Sequence, residues 1–248
     1  MKTTISIELV PRSESSIVAD LETIGQSFSS ARMVNIPDLL RFDLRSWDAC
    51  AMAISGLDRA LPHLRAMDFP AKAAGELAAR LRGLGLCEAL IVRGDSPQDL
   101  ARPVHSTTST ELIRALKEVD PDLRLYAVFD PYRRGLAAEL DEVREKIEAG
   151  AVGLFTQPFF DRRFMQVCAE ILPDVEVFWG LAPVLTAGNR RYWEVKNQAF
   201  FPAHFEATLA WNRGFAASVI EWATENEEHL YFMPIRVGLR EYLGGLIE

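Results

Sequence analysis

Cysteine and histidine are scarce in this chain, with three of the first and four of the second among 248 residues. Cys50, Cys87 and Cys168 are widely separated, odd in number and outside any CxxC pattern. A disulfide framework is therefore excluded, and the three read as reduced, buried thiols. The dispersed histidines form no zinc constellation. No apolar run approaches the roughly 18 residues needed to span a bilayer. Nor is there a block of Lys and Arg to leave the basic footprint of a phosphate-backbone binder, and the formal net charge of −8 points the same way. No GxGxxG follows a first strand, which weakens a Rossmann reading. The opening MKTTISIELV runs directly into strand-like sequence without a signal-peptide pattern. These absences leave a cytoplasmic protein with neither nucleic-acid nor membrane partners as the expectation.

What is present is alternation. Strand-like segments cover 5–10, 33–37, 61–67, 89–94, 124–129, 152–157, 175–181 and 230–235. Several are continuous apolar runs, as parallel strands buried on both faces require. Helical patterns lie between them. PAKAAGELAARLRGLGL has helical spacing and a Gly-rich exit. TSTELIRALKEV opens on a Thr/Ser cap with Glu111 in its first turn. GLAAELDEVREKIEAG is amphipathic and stops at Gly150. From 190 to 226 the pattern is helical but broken around Phe201 and Pro202. Eight βα units in a chain of this length predict a single (β/α)8 TIM barrel over residues 1–248, with a doubly wound open sheet as runner-up. No linker or internal repeat divides the chain.

Chemistry in such a barrel gathers at the C-terminal ends of the strands. Four polar residues fall there: Glu8 in ISIELVPR, His63 in LPHLRAMD, Asp95 after Arg93 in LIVRGDSP, and Gln157 in GLFTQPFFD. Each has an ordinary alternative. Glu8 could be an ion-pair partner at the barrel floor and His63 a satisfied core histidine. Asp95 could cap the next turn, and Gln157 could satisfy loose backbone groups. What sets them apart is that all four share one predicted face.

Five stretches, IELVPR, PHLRAMD, VRGDSP, EAGAVGLFTQPFFD and GLAPV, occur in an order and spacing that resemble the methylenetetrahydrofolate reductase family. The resemblance implies a flavin-dependent barrel that interconverts 5,10-methylene- and 5-methyltetrahydrofolate, an oxidoreductase of the CH-NH class in one-carbon metabolism and methionine biosynthesis. It assigns Glu8 as general acid. Gln157 would be the amide that reads the pterin edge, and Asp95 the carboxylate near both flavin and folate. Trp193 falls where a family aromatic stacks on the substrate, with a plain core tryptophan as the alternative. The cofactor side would involve His63, Arg93, Asp95, Ser106 and Lys146, holding FAD.

Departures from the family pattern concentrate on that cofactor side. NIPDLLRFDLRSWDA replaces a turn of small residues. VFDPYRRG stands at the strand-5 exit, Ser106 replaces an aromatic, and Glu142 and Glu145 accompany Lys146. Arg133, Arg134 and Arg102 are the cations available to a pyrophosphate. FMN or no flavin are the alternatives to FAD, and NAD(P)H is the least supported donor. A redox partner protein or a homo-oligomer enters as a partner, with the aromatic QAFFPAHFEATLAW as interface or substrate lid. The competing function is a folate-binding partner or regulatory subunit that has lost flavin chemistry.

Overall fold

A computed structural model of the chain describes residues 3–95 and 103–247. Eight strands form a closed barrel in sequence order, each parallel to its neighbours. They are β1 (Ile5–Glu8), β2 (Met33–Ile36), β3 (Arg59–Arg65), β4 (Glu88–Val92), β5 (Arg124–Phe129), β6 (Ala151–Pro158), β7 (Glu176–Leu181) and β8 (His229–Phe232). β8 closes onto β1 with Ile5 opposite Leu230 and Ile7 opposite Phe232. The helices are α1 (Glu14–Ser27), α2 (Ser46–Ala53), α3 (Ala74–Gly83), α4 (Ser109–Val119), α5 (Leu136–Glu148), α6 (Arg162–Ile171), α7 (Ala187–Lys196), α8 (Leu209–Glu225) and α9 (Leu239–Leu243).

The TIM-barrel expectation therefore holds, and β5 has the limits read from sequence. Other boundaries move for local reasons. β3 ends at Arg65, not at Met67, because residues 66–68 wind into a 3-10 turn. α4 starts where its cap predicts: the Thr108 hydroxyl accepts from the Glu111 amide, and the Glu111 carboxylate accepts in return from the Thr108 amide at 2.8 Å. The break around Phe201 separates α7 from α8, whose first turn is capped by Thr208. Cys50 and Cys168 are buried free thiols as expected, but Cys87 is exposed, because it lies just ahead of the first β4 residue at the edge of the barrel.

Pleating sends alternate residues to opposite faces. Ile5 and Ile7 point toward the helices, in one apolar layer with Val34, Leu64 and Ile91. Met33, Leu61, Leu90, Tyr126, Phe155, Phe178 and Tyr231 fill the barrel itself. Phe155 stacks on Phe178 at 4.4 Å, and Tyr126 meets both edge-on at 5.5 and 5.9 Å, the geometries aromatic quadrupoles favour. Below this plug, the first residues of β3, β4, β5 and β7 form an ion-pair network. Arg59 contacts Glu88 at 2.8 Å and Glu176 at 3.2 Å, and Arg124 reaches Glu176 at 2.8 Å. The Tyr126 hydroxyl donates to Glu176 at 2.6 Å. Charge pairs and rings together seal the N-terminal end, a stabilising role, and leave the chemistry to the opposite mouth.

Close packing leaves no room for a side chain at Gly153. A Cβ on Gly153 would lie 2.5 Å from the Glu176 carbonyl and 2.9 Å from the Tyr126 ring. Gly153→Ala should cost about 1–3 kcal/mol through overpacking, seen as a fall of roughly 2–4 °C in Tm per kcal/mol. Gly25→Ala in α1, where nothing lies within 4 Å of the added carbon, should leave Tm unchanged or raise it. Equal melting of Gly153→Ala and wild type would show that the floor yields.

Candidate active site at the barrel mouth

At the C-terminal end of the strands lies a cleft of about 610 Å³. Its lining comes from the exits of β2 to β6 and from the end of α7. His63, Arg93, Asp95, Lys146 and Gln157 all line it, so five of the residues singled out in the sequence meet in one place. Sequence reasoning missed Asp38, Arg65, Asp130 and the Lys196–Gln198 segment, which line it as well. The signal for Asp130 was present: it follows β5 directly, as Asp95 follows β4 after two residues.

His63 faces inward from β3. Its Nε2 lies 3.0 Å from the Asn35 Oδ1, and the Asn35 amide donates to Ser6 Oγ at 2.9 Å. Burial pushes the imidazole down to about 3, against the opposing charge of Asp38, so the ring is neutral at physiological pH. The ring is hydrogen-bonded, as a satisfied histidine would be, and it also lines the cleft.

At the β4 exit, Gly94 takes φ +87, a left-handed conformation suited to glycine. An added Cβ would come within 3.2 Å of Arg65 and 3.1 Å of Met67. Asp95 is exposed after this turn and makes no ion pair among the described residues. Its backbone carbonyl accepts from Arg65 Nη2 at 2.6 Å. Gln157 sits where β6 shifts register against β7, between Phe155 and Pro158. Its half-buried side-chain amide has no partner among the described residues. The strand needs the backbone there but not that amide, which leaves it available to a ligand edge offering both donor and acceptor.

Lys146 is buried on α5, donating to the Val128 carbonyl at 3.0 Å and to Glu142 at 2.8 Å. Arg134 joins the same carboxylate at 2.6 Å and Glu139 at 3.3 Å. Burial works to raise the Glu142 carboxyl, but the Lys146 hydrogen bond and the nearby cations outweigh it and hold it low. Arg133 pairs with Asp130 at 3.3 Å. Arg102 lies outside the described residues, as do Ser96 and Pro97 of the VRGDSP motif. Ser106 is exposed and outside the cleft lining.

These pairings bear on an FAD diphosphate, which needs unpaired positive charge or free N–H groups. Arg133, Arg134 and Lys146 are each already matched to a carboxylate of the chain. The N-terminus of α4 is closed by its own capping box. Of the cations lining the cleft, Arg93 and Lys196 make no ion pair among the described residues and are the ones left to meet such a group.

Trp193 and Glu8 are placed differently from the five cleft residues. Trp193 is buried on α7, edge-on to Phe160 at 5.6 Å, and lies outside the cleft lining. Phe160 in turn stacks on Phe201 at 4.4 Å, so part of the aromatic C-terminal run is packed core, while Phe200, Tyr192 and Val195 stay exposed. Glu8 ends β1 on the inward side, far from the floor network. It opens on a second hollow of about 400 Å³, lined also by Arg12, Asp20, Met233 and Arg236, which shares no lining residue with the cleft. Half-buried, it has no hydrogen bond or ion pair among the described residues, and burial pushes its carboxyl up to about 8. Tyr231 connects the two regions electrostatically. Its phenol, bonded to the Thr156 carbonyl, is raised by burial and by the charges of both Glu8 and Asp130.

A carboxyl whose folded-state pKa lies above its unfolded value of 4.5 holds its proton more tightly in the folded chain. Stability from this group is therefore present at low pH and lost as pH rises from about 4.5 to about 8. Glu8→Gln should flatten the decline of Tm across that window, measured by thermal melts at several pH values. Parallel Tm–pH curves for variant and wild type would mean that Glu8 ionises normally.

Among the described residues no group of three or more His, Cys, Asp or Glu could hold a metal ion, and no helix is long and apolar enough to cross a membrane. The sequence model of the family described as methylenetetrahydrofolate reductase matches residues 49–221. The 5,10-methylenetetrahydrofolate reductase of Pectobacterium carotovorum subsp. carotovorum is 33% identical over 137 residues, covering 52% of this chain and 45% of that protein. Its counterpart in Escherichia coli (strain K12) is 31% identical over the same length, with the same coverage. The matches thus span about half the length of these curated relatives. Among solved structures, an uncharacterized protein from Clostridium thermocellum, described as binding two copies of 5-methyl-5,6,7,8-tetrahydrofolic acid, superposes with TM-score 0.63 at 12% identity, covering 95% of this chain and 90% of that one. An oxaloacetate acetylhydrolase superposes with TM-score 0.61 at 10% identity, covering 99% and 76%. At such identities these two likenesses speak to the barrel fold alone. The extent of the family match, with the motifs it takes in around the cleft, establishes that this chain belongs to the methylenetetrahydrofolate reductase family.

Proposed function

We propose that this chain interconverts 5,10-methylene- and 5-methyltetrahydrofolate at the barrel mouth, with Glu8 as the general acid. The observation that carries this reading is the state of Glu8: at a barrel mouth, without a partner among the described residues, and with burial lifting its carboxyl to about 8. At neutral pH it is a neutral acid with a proton to give. Opening the methylene bridge needs that proton on the departing nitrogen and leaves positive charge on the one-carbon unit. The unpaired carboxylate of Asp95 is the group that would stabilise that charge. Gln157 would hold the pterin through its free amide, and neutral His63 would present a polar edge without adding charge. Family membership supports the same chemistry, and the Clostridium thermocellum protein is described as binding the methyl form of this substrate.

The hydride carrier stands outside this derivation. FAD is what membership of the family suggests, and it would supply the hydride; the matched cations at Lys146, Arg133 and Arg134 suit its diphosphate poorly. They favour, as a second reading, a folate-binding subunit without redox chemistry. A visible spectrum of protein with added FAD, before and after anaerobic 5-methyltetrahydrofolate, separates the two. Bleaching of the flavin band supports the enzyme, and calorimetric folate binding without bleaching supports the subunit.

Two variants test the assignments. Glu8→Gln should keep folate binding and lose about 100-fold or more of methylene reduction. In the wild type that activity should fall as pH rises through about 8, where the acid loses its proton. Turnover retained in Glu8→Gln would remove Glu8 from the role. Glu142→Gln removes the carboxylate paired with Lys146, while Arg134 keeps Glu139. It should tighten FAD binding by about tenfold, the worth of one charge-assisted hydrogen bond, as read by quenching of flavin fluorescence. Equal affinity in variant and wild type would place the diphosphate away from α5.

A further inference from the structure

The exits of β2, β3 and β4 are joined by a ladder of alternating charges. Asp38 receives a two-pronged hydrogen bond from Arg45, at 2.9 Å through Nε and 2.5 Å through Nη2. Arg45 Nη2 also lies 3.8 Å from Asp68. Asp68 accepts from Arg65 Nε, 3.2 Å from each carboxylate oxygen. Arg65 Nη2 ends the ladder on the Asp95 carbonyl at 2.6 Å, with the Met67 sulfur at 3.5 Å. Arg65 is buried, and its guanidinium carbon leaves so little room beside Gly94 that a Cβ there would sit 3.2 Å away.

Two consequences follow from this arrangement. The four ladder charges, Asp38, Arg45, Asp68 and Arg65, cancel one another. Arg65 directs Nε to Asp68 and Nη2 to a backbone carbonyl, and makes no ion pair with the Asp95 carboxylate at the cleft. A guanidinium can do this because its rigid fork serves two acceptors in fixed directions; an ammonium of the same charge cannot.

We propose that Arg65 is the positioning residue for Asp95: it locks the backbone of the β4 exit through the Asp95 carbonyl, and so holds the carboxylate free and in place for the substrate. This rests on the folate reading of the cleft, and the test separates the two. Binding of 5-methyltetrahydrofolate would be measured by calorimetry in wild type, Arg65→Lys, Asp95→Asn and the double variant. Backbone hydrogen exchange over residues 93–95 would be followed in the same proteins without ligand.

Arg65→Lys should weaken binding about tenfold and speed exchange at the β4 exit. The double variant should bind no more weakly than Asp95→Asn, because Arg65 acts only through Asp95. Asp68→Asn, which keeps Arg65 but removes its anchor, should show the same effects in smaller measure and serves if Arg65→Lys does not fold. Losses that multiply in the double variant would overturn the proposal by showing that Arg65 meets the folate directly. Unchanged exchange in Arg65→Lys would overturn it as well. A wild type that binds no folate would sink the folate reading, while hydrogen exchange would still decide whether Arg65 holds the exit.

Discussion

The closure of β8 onto β1 is the constraint on which everything else depends. Once Ile5 pairs with Leu230 and Ile7 with Phe232, no strand edge is left open and the pleat fixes which side chains face inward. Ser6 and Glu8 must then point to the axis, opposite the helix-facing Ile5 and Ile7. The same alternation sends Asn35, His63 and Gln157 inward at the same end. Residues separated by scores of positions become neighbours because a closed parallel sheet allows no other arrangement.

The two ends of the barrel use charge in opposite ways. At the floor, Arg59, Arg124, Glu88 and Glu176 pair with one another and with the Tyr126 hydroxyl, so that end is electrically quiet. At the mouth most charges are also paired, through the Asp38–Arg45–Asp68–Arg65 ladder and the Lys146–Glu142–Arg134 cluster. Against that background the exceptions carry meaning. Glu8 and Asp95 are carboxylates without partners among the described residues, one raised by burial and one exposed. For Glu8 that state carries a cost, since a half-buried carboxyl without a partner loses solvation and gains nothing in return.

Much of this was legible beforehand. The continuous apolar runs of β4, β5 and β6 announce strands buried on both faces, and the Thr108–Glu111 box marks the start of α4 to the residue. The polar strand tips at Glu8, His63 and Gln157 were visible because a buried strand has no need of them. The pairing of cations was not legible. Arg133 and Arg134 read as free charges for a diphosphate until the turn after β5 brought them onto Asp130, Glu139 and Glu142. Trp193 could not be told from a core residue, because helical spacing places a stacking ring and a packing ring at the same positions.

The chain by itself determined the number and order of its strands, the caps of its helices and the family motifs, because these are local patterns of apolar period and hydrogen-bonding residue type. Only the tertiary structure decided which charges cancel and which are left over. It set Glu8 in a hollow apart from the cleft that holds Asp95 and Gln157, and it turned Arg65 from one more arginine into the anchor of the β4 exit. The physical reason is range. Propensity and capping act over a few residues of one segment, whereas ion pairing and desolvation depend on distances between segments that exist only once the barrel has closed.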